Sequence, residues 1–221
     1  MPEPKRLSKQ TRGQGAVEGF PRLLGERLCL DFVNTLDSIL SPQPEEFLTD
    51  YADVAWWGRH LRQLSEGEVT RALQLGEDQP DLTADLFARA ITLRDTLTRI
   101  FTAIAQGNDV DRDDLNALHG AWEQVVPSLG LERDGDHYRW TWQIAGRDVE
   151  QLLWAVIQST IDTLTTDDLS RIRQCPGAGD CGGLFFDTSR NASRRWCSME
   201  GCGSRVKMRK QYARHTGRGA R

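Results

Sequence analysis

The sequence predicts a mainly α protein: a multihelical body with one β-hairpin, followed by a small α+β module stapled through four cysteines. Three observations lead there. From about residue 30 to residue 165, apolar residues recur every three or four positions in one segment after another, the period of a helix that buries one face. That pattern breaks once, around Asp134-Gly135, into short alternating runs. Four of the five cysteines fall between Cys175 and Cys202.

The elements follow in order. Residues 1–19 carry charges and glycines but no apolar leader, and are expected to form a flexible arm. Within the apolar run Leu28 to Leu36, the spacing of Phe32, Leu36 and Ile39 or Leu40 predicts a helix from about Asp31, ended by Pro42 and Pro44. Asp50 is placed to cap a helix through Val54, Trp57, Leu61 and Leu64. Ser65-Glu66-Gly67-Glu68 reads as a capping box for a short helix ending near Gly76. Pro80-Asp81 opens the longest helix, with Leu82, Leu86, Ala90, Leu93, Leu97, Ile100, Phe101 and Ile104 on one face and Gly107 at its end. Asp111 starts another, with Leu115, Leu118 and Trp122 inward and Pro127 past its end. Leu129 to Gln143 reads as a hairpin turning at Asp134-Gly135, with Tyr138, Trp140 and Trp142 on one face. The body's many Leu and Trp residues are assigned to its core. Arg147-Asp148 begins the last large helix, whose stripe is Leu152, Leu153, Val156, Ile157, Thr160 and Leu164. The body therefore spans 20–168 and the cysteine module 169–215, with a flexible tail over 216–221.

Charge divides the chain at the same place. The net charge of −4 hides +9 from Arg171 onward and −13 before it. Modules of opposite sign suit different partners, and only the basic one suits nucleic acid. The longest purely apolar run, Leu152 to Ile157, falls far short of the roughly 20 residues that span a bilayer. A cytoplasmic protein with no membrane partner is expected.

In a reducing compartment, clustered cysteines read as metal ligands before disulfides. The spacing Cys175-x5-Cys181-x15-Cys197-x4-Cys202 gives two short loops, each supplying two thiolates, and a spacer long enough to fold them together around one Zn²⁺. Pro176, Gly177, Gly179 and Gly182 supply the turn residues such a loop needs. Four thiolates leave no open position, so the ion is structural rather than catalytic. The alternatives are two disulfides or free core thiols. Leu184, Phe185, Phe186, Trp196 and Met199 can form a mini-core around an ion.

The stretch from Cys175 to Arg214 resembles the CGNR-type zinc finger. The resemblance rests on the first Cys pair, Leu184-Phe185-Phe186-Asp187-Thr188-Ser189, Asn191, Ser193 to Met199, and Cys202-Gly203 with Arg205 and a basic helix behind it. In the name-giving tetrad, Cys202-Gly203-Ser204-Arg205, Ser204 stands where Asn is expected; the substitution spares the ligand, and Ser can also make a helix-start hydrogen bond. Upstream, Leu28-Cys29-Leu30-Asp31-Phe32-Val33-Asn34-Thr35 resembles the start of the ABATE domain that commonly precedes this finger. The resemblance implies a bacterial transcription regulator of the stress response.

After Gly203 a helix is expected to about His215, with Lys207, Lys210 and Arg214 on one face, Met208 and Tyr212 roughly opposite, and Arg205 and Arg209 beside them. Together with Arg190, Arg194 and Arg195, the residues Arg205, Lys207, Lys210 and Arg214 form a candidate phosphate-contacting patch, whose affinity would fall with salt. A solvated helix, or one docked on the acidic body, is the plainer alternative. Asp31, Asn34 and Thr35, polar groups in an apolar run, are either a small-ligand pocket or local capping and buried hydrogen bonding. His60, His119, His137 and His215 have no metal spacing, Cys29 reads as a small core residue, and no catalytic constellation is evident. The expectation is a DNA-binding zinc-finger regulator, not an enzyme, whose helical domain senses a small molecule or protein or mediates assembly. The alternative is a zinc-stapled protein-interaction module that binds no nucleic acid.

Overall fold

Side-chain caps from Asp50, Ser65 and Asp111 fix the starts of three helices. The computed structural model describes residues 20–142 and 149–216. The expected arm 1–19, residues 143–148, the tail from 217 and the side chains of Trp142 and Arg214 lie outside the described residues. Packing divides the chain into two units that are not consecutive in sequence. One comprises 48–100 and 110–165, the other 20–47, 101–109 and 166–216.

In the first unit, Asp50 accepts from Asp53 N and opens α2 (Tyr51–His60). Ser65 and Glu68 close both halves of the capping box ahead of α3 (Glu66–Asp78). This helix runs past Gly76, and Gln79 N closes it on Leu75 O at 2.8 Å. Pro80, which has no N–H to leave unpaired, then begins α4 (Pro80–Gln106). Asp111 caps α5 (Arg112–Val125). The helix α6 (Val149–Thr166) buries Leu152, Leu153, Val156, Ile157 and Thr160 as its stripe predicts. They share a core with Val54, Trp57, Leu86, Ala90, Leu93, Leu97 and Leu118. Leu82 and Leu115, expected inward, are exposed; each lies in the first turns of its helix.

The hairpin forms as β3 (Leu129–Asp134) and β4 (His137–Trp142), with Leu131 opposite Trp140 and Arg133 opposite Tyr138. Its two-residue loop is Gly135-Asp136, one step later than expected, because the positive φ of 61° falls on Gly135. Two of the three aromatics in the row are not core. Tyr138 is 70% and Trp140 55% exposed, since a two-stranded ribbon covers neither of its own faces.

The second unit corrects the N-terminal reading. The helix α1 (Leu28–Val33) starts earlier and stops sooner than expected, burying Cys29, Leu30, Phe32 and Val33. Leu36 and Asp37 instead form a short strand, β1 (Leu36–Asp37), antiparallel to β2 (Glu45–Glu46). Phe47 N bonds Thr35 O at 3.0 Å, so the backbone groups that would continue the helix pair across the turn. The remaining elements are a 3₁₀ turn over Leu169–Arg171, β5 (Ile172–Gln174), β6 (Leu184–Phe186), a π-turn over Met199–Gly203 and α7 (Ser204–Thr216). No helix among the described residues is long and apolar enough to cross a membrane.

Candidate metal centre and basic surface

β5 and β6 pair antiparallel, Ile172 opposite Phe186 and Gln174 opposite Leu184, and the loop between them presents Cys175 and Cys181. Cys175 N bonds Gly183 O and Gly182 N bonds Cys175 O, closing the loop at its neck. Gly182 has φ 74°, and a Cβ there would collide with Ile39. Gly183 N points at the Cys181 sulfur, 3.5 Å away.

The second pair of cysteines is set by two polar turns. Asp187 is buried and accepts from Ser189 N, Ser189 Oγ and Arg194 N, which shapes the loop leading to Cys197. Burial pushes the Asp187 carboxyl up, but these hydrogen bonds outweigh it and hold it below the usual range. Ser198 accepts from Gly201 N, and the π-turn that follows delivers Cys202 at the start of α7. Ser204 donates its hydroxyl to Met199 O at 3.0 Å. It thus fastens the turn rather than capping the helix.

The four sulfurs lie within 4.8 Å of one another. Cys181 to Cys197 and Cys197 to Cys202 are each 3.7 Å. A disulfide needs about 2.05 Å, so these are free thiols. A tetrahedron of sulfurs each about 2.3 Å from a zinc ion has edges of about 3.8 Å, which the two measured edges match. The donor set and its closed geometry fit one structural Zn²⁺ held by Cys175, Cys181, Cys197 and Cys202. Bonds among the crowded thiols push the Cys197 thiol up and hold Cys202 down, with the Arg205 guanidinium adding to the latter. Phe185 completes the mini-core, with Leu24 and Trp196 packed against it.

Leu24 belongs to the N-terminal segment, and that segment is part of this module. The Asn34 side chain donates to Leu184 O at 2.8 Å and accepts from Leu184 N at 2.9 Å, so its amide pairs with β6 as a strand would. Phe186 N donates to Gly25 O at 2.9 Å. Arg27 makes a two-pronged bond to Asp167 and stacks over Phe186. Asp31 accepts from Gly25 N, and Thr35 Oγ1 donates to Phe32 O. Burial pushes the Asp31 carboxyl up to about 6 against the pull of the Gly25 and Leu24 amides. Each candidate pocket residue thus makes a hydrogen bond inside the fold, which is the local-bonding alternative, with Asn34 reaching much farther along the chain than a local cap.

The candidate phosphate contacts fall into two groups. Arg194 turns inward: it donates to Leu24 O, Trp196 O and Cys197 O, pairs with Glu26 at 3.0 Å and stacks over Phe185. It joins the metal loops to the N-terminal segment. Arg205 donates to the Cys202 sulfur at 3.0 Å and lies 3.7 Å from Asp180. Arg190, Arg195, Lys207 and Lys210 are exposed, and no carboxylate among the described residues lies within ion-pair distance of them. Arg195 stacks over Trp196. Spacing identified the ligands; Asn34 was singled out as a polar group in an apolar run but not as a partner of β6, and the tie through Asp180 and the latching role of Arg194 left no local signal.

Residues 26–167 match the ABATE family model, described as "Putative stress-induced transcription regulator". Residues 171–215 match the CGNR zinc finger. No curated protein matches the chain.

Proposed function

Because the chain belongs to the ABATE family and carries a CGNR zinc finger, we propose that it is a transcription regulator that binds duplex DNA through the outward cations of its zinc module. The observation that carries this reading is the sorting of cations on α7. Arg205 and Arg209 turn toward Asp180, whereas Lys207 and Lys210 stand exposed without a carboxylate partner among the described residues. Arg190 and Arg195 add to the same kind of uncompensated charge, and Arg214 follows Lys210 by four residues on α7. Phosphate contacts of this kind give affinity without sequence readout. The zinc ion is a folding staple with no open position, and the chain acts as a regulator rather than an enzyme. The helical unit takes the role of sensor or assembly domain, toward a small-molecule or protein ligand.

A salt series tests this reading. Zinc-loaded protein is titrated onto a labelled duplex from 50 to about 300 mM salt, and binding is expected to fall steeply. Lys207→Ala/Lys210→Ala is expected to lower the slope of log affinity against log salt by about 2, since each lost contact removes about 0.9. Absence of binding to DNA or RNA at the lowest salt sinks the proposal. A second reading has its own observation: Met199, Met208 and Tyr212 are exposed on the same module, the type of side chain that protein partners bury. A module that recovers a protein partner and ignores nucleic acid would favour it.

A further inference from the structure

The tetrad arginine, Arg205, stands apart from the other cations of α7. Its Nη2 lies 3.0 Å from the Cys202 sulfur, and its Nη1 3.7 Å from Asp180 in the loop that carries Cys175 and Cys181. One turn later, Arg209 donates to Ala178 O at 2.8 Å and lies 3.6 Å from the same Asp180. Asp180 also accepts from Ala178 N, which folds that loop back on itself. One carboxylate therefore ties two successive turns of α7 to the first cysteine loop.

We propose that Arg205 is a positioning residue of the metal centre, donating to the Cys202 thiolate and fixing the direction in which α7 leaves it. Three physical arguments support the assignment. A Zn²⁺ with four thiolates carries a net charge of −2, and a guanidinium at one buried sulfur partly offsets it. Arg presents several N–H donors in a planar fork, so it can hold sulfur and carboxylate together; Lys concentrates its donors at one point. Groups that bond the ligands of a metal fix their orientation and alter its retention, typically by 10- to 100-fold when removed. The consequence is a division of labour along one helix: Arg205 and Arg209 set where α7 points, and Lys207 and Lys210 are what it presents. The assignment stands whether or not those outward cations meet nucleic acid.

The test uses the full zinc-loaded chain and two readouts. The first is the rate of zinc transfer to the chromogenic chelator 4-(2-pyridylazo)resorcinol. The second is the energy of the sulfur-to-cobalt charge-transfer band after Co²⁺ replaces Zn²⁺, which reports hydrogen bonding at sulfur and is blind to packing elsewhere. Arg205→Ala is expected to release zinc about tenfold faster and to shift the band. Arg205→Lys is expected to fall between that variant and the wild type in both, while Lys207→Ala matches the wild type. If Arg205→Ala does not fold, Arg205→Lys decides on the same readouts. Wild-type release with an unshifted band in the variant that decides overturns the proposal. In that case, a salt slope of DNA binding lowered by about 0.9 would assign Arg205 to phosphate instead.

Discussion

Asp31 lies close under the turn that carries Gly25, and its carboxylate takes the Gly25 N–H at 2.8 Å. Burial pushes its pKa from 3.8 up to about 6, so the folded chain holds this proton more tightly than the unfolded chain does. The sign of its effect follows. Its contribution to stability is full below about pH 4 and is lost as the pH rises through 6, by up to about 3 kcal/mol. Asp31→Asn keeps an acceptor for Gly25 and cannot ionise. Urea midpoints of the wild type are expected to fall between pH 4 and 6.5 relative to those of the variant. Parallel curves for the two would rule out the assignment. Asp187 shows the opposite balance: three donors hold its carboxyl down, so its contribution is present above the ordinary carboxylate range and lost only in acid.

At the level of elements, one amide, that of Asn34, makes both side-chain hydrogen bonds between the end of α1 and β6. Asn34→Ala leaves both backbone groups of buried Leu184 without that partner and is expected to cost about 2–4 kcal/mol in urea unfolding. Asn34→Asp keeps the acceptor for Leu184 N but loses the donor to Leu184 O, and should fall between; a cost below about 0.5 kcal/mol for Asn34→Ala would refute the pairing's importance. This contact also explains what the sequence made legible and what it hid. Asp50, Ser65 with Glu68, and Asp111 announce their helices because a cap and its amides lie within a few residues. The four ligands were legible because thiolate spacing is local as well. The end of α1 was not, since Asn34 finds its partner 150 residues away and apolar periodicity alone favours continuing the helix. The hairpin failed differently: Trp140 read as core by residue type, but nothing in β3 or β4 supplies a cover for it or for its neighbour Tyr138.

Across the whole molecule, the family bounds and the packing divide the chain differently. The ABATE match runs from 26 to 167, yet residues 20–47 pack with the zinc module. Chelation of zinc should therefore loosen more than the finger. Amide exchange after EDTA treatment is expected to accelerate over 24–47 and 172–203, with 51–100 and 112–125 retaining their protection. Acceleration confined to 175–202, or spread evenly along the chain, would contradict this. The bonds from Asn34 to Leu184 and from Arg194 to Leu24 span 150 and 170 residues. On the ribosome, the early segment emerges with its partners still untranslated, and at about 5–20 residues per second it waits roughly ten to thirty seconds for them. Throughout that interval α1, with its buried Leu30, Phe32 and Val33, lacks its contacts with β6. A nascent chain halted before Cys202 holds an incomplete ligand set, so translation must pass that codon before the module can close.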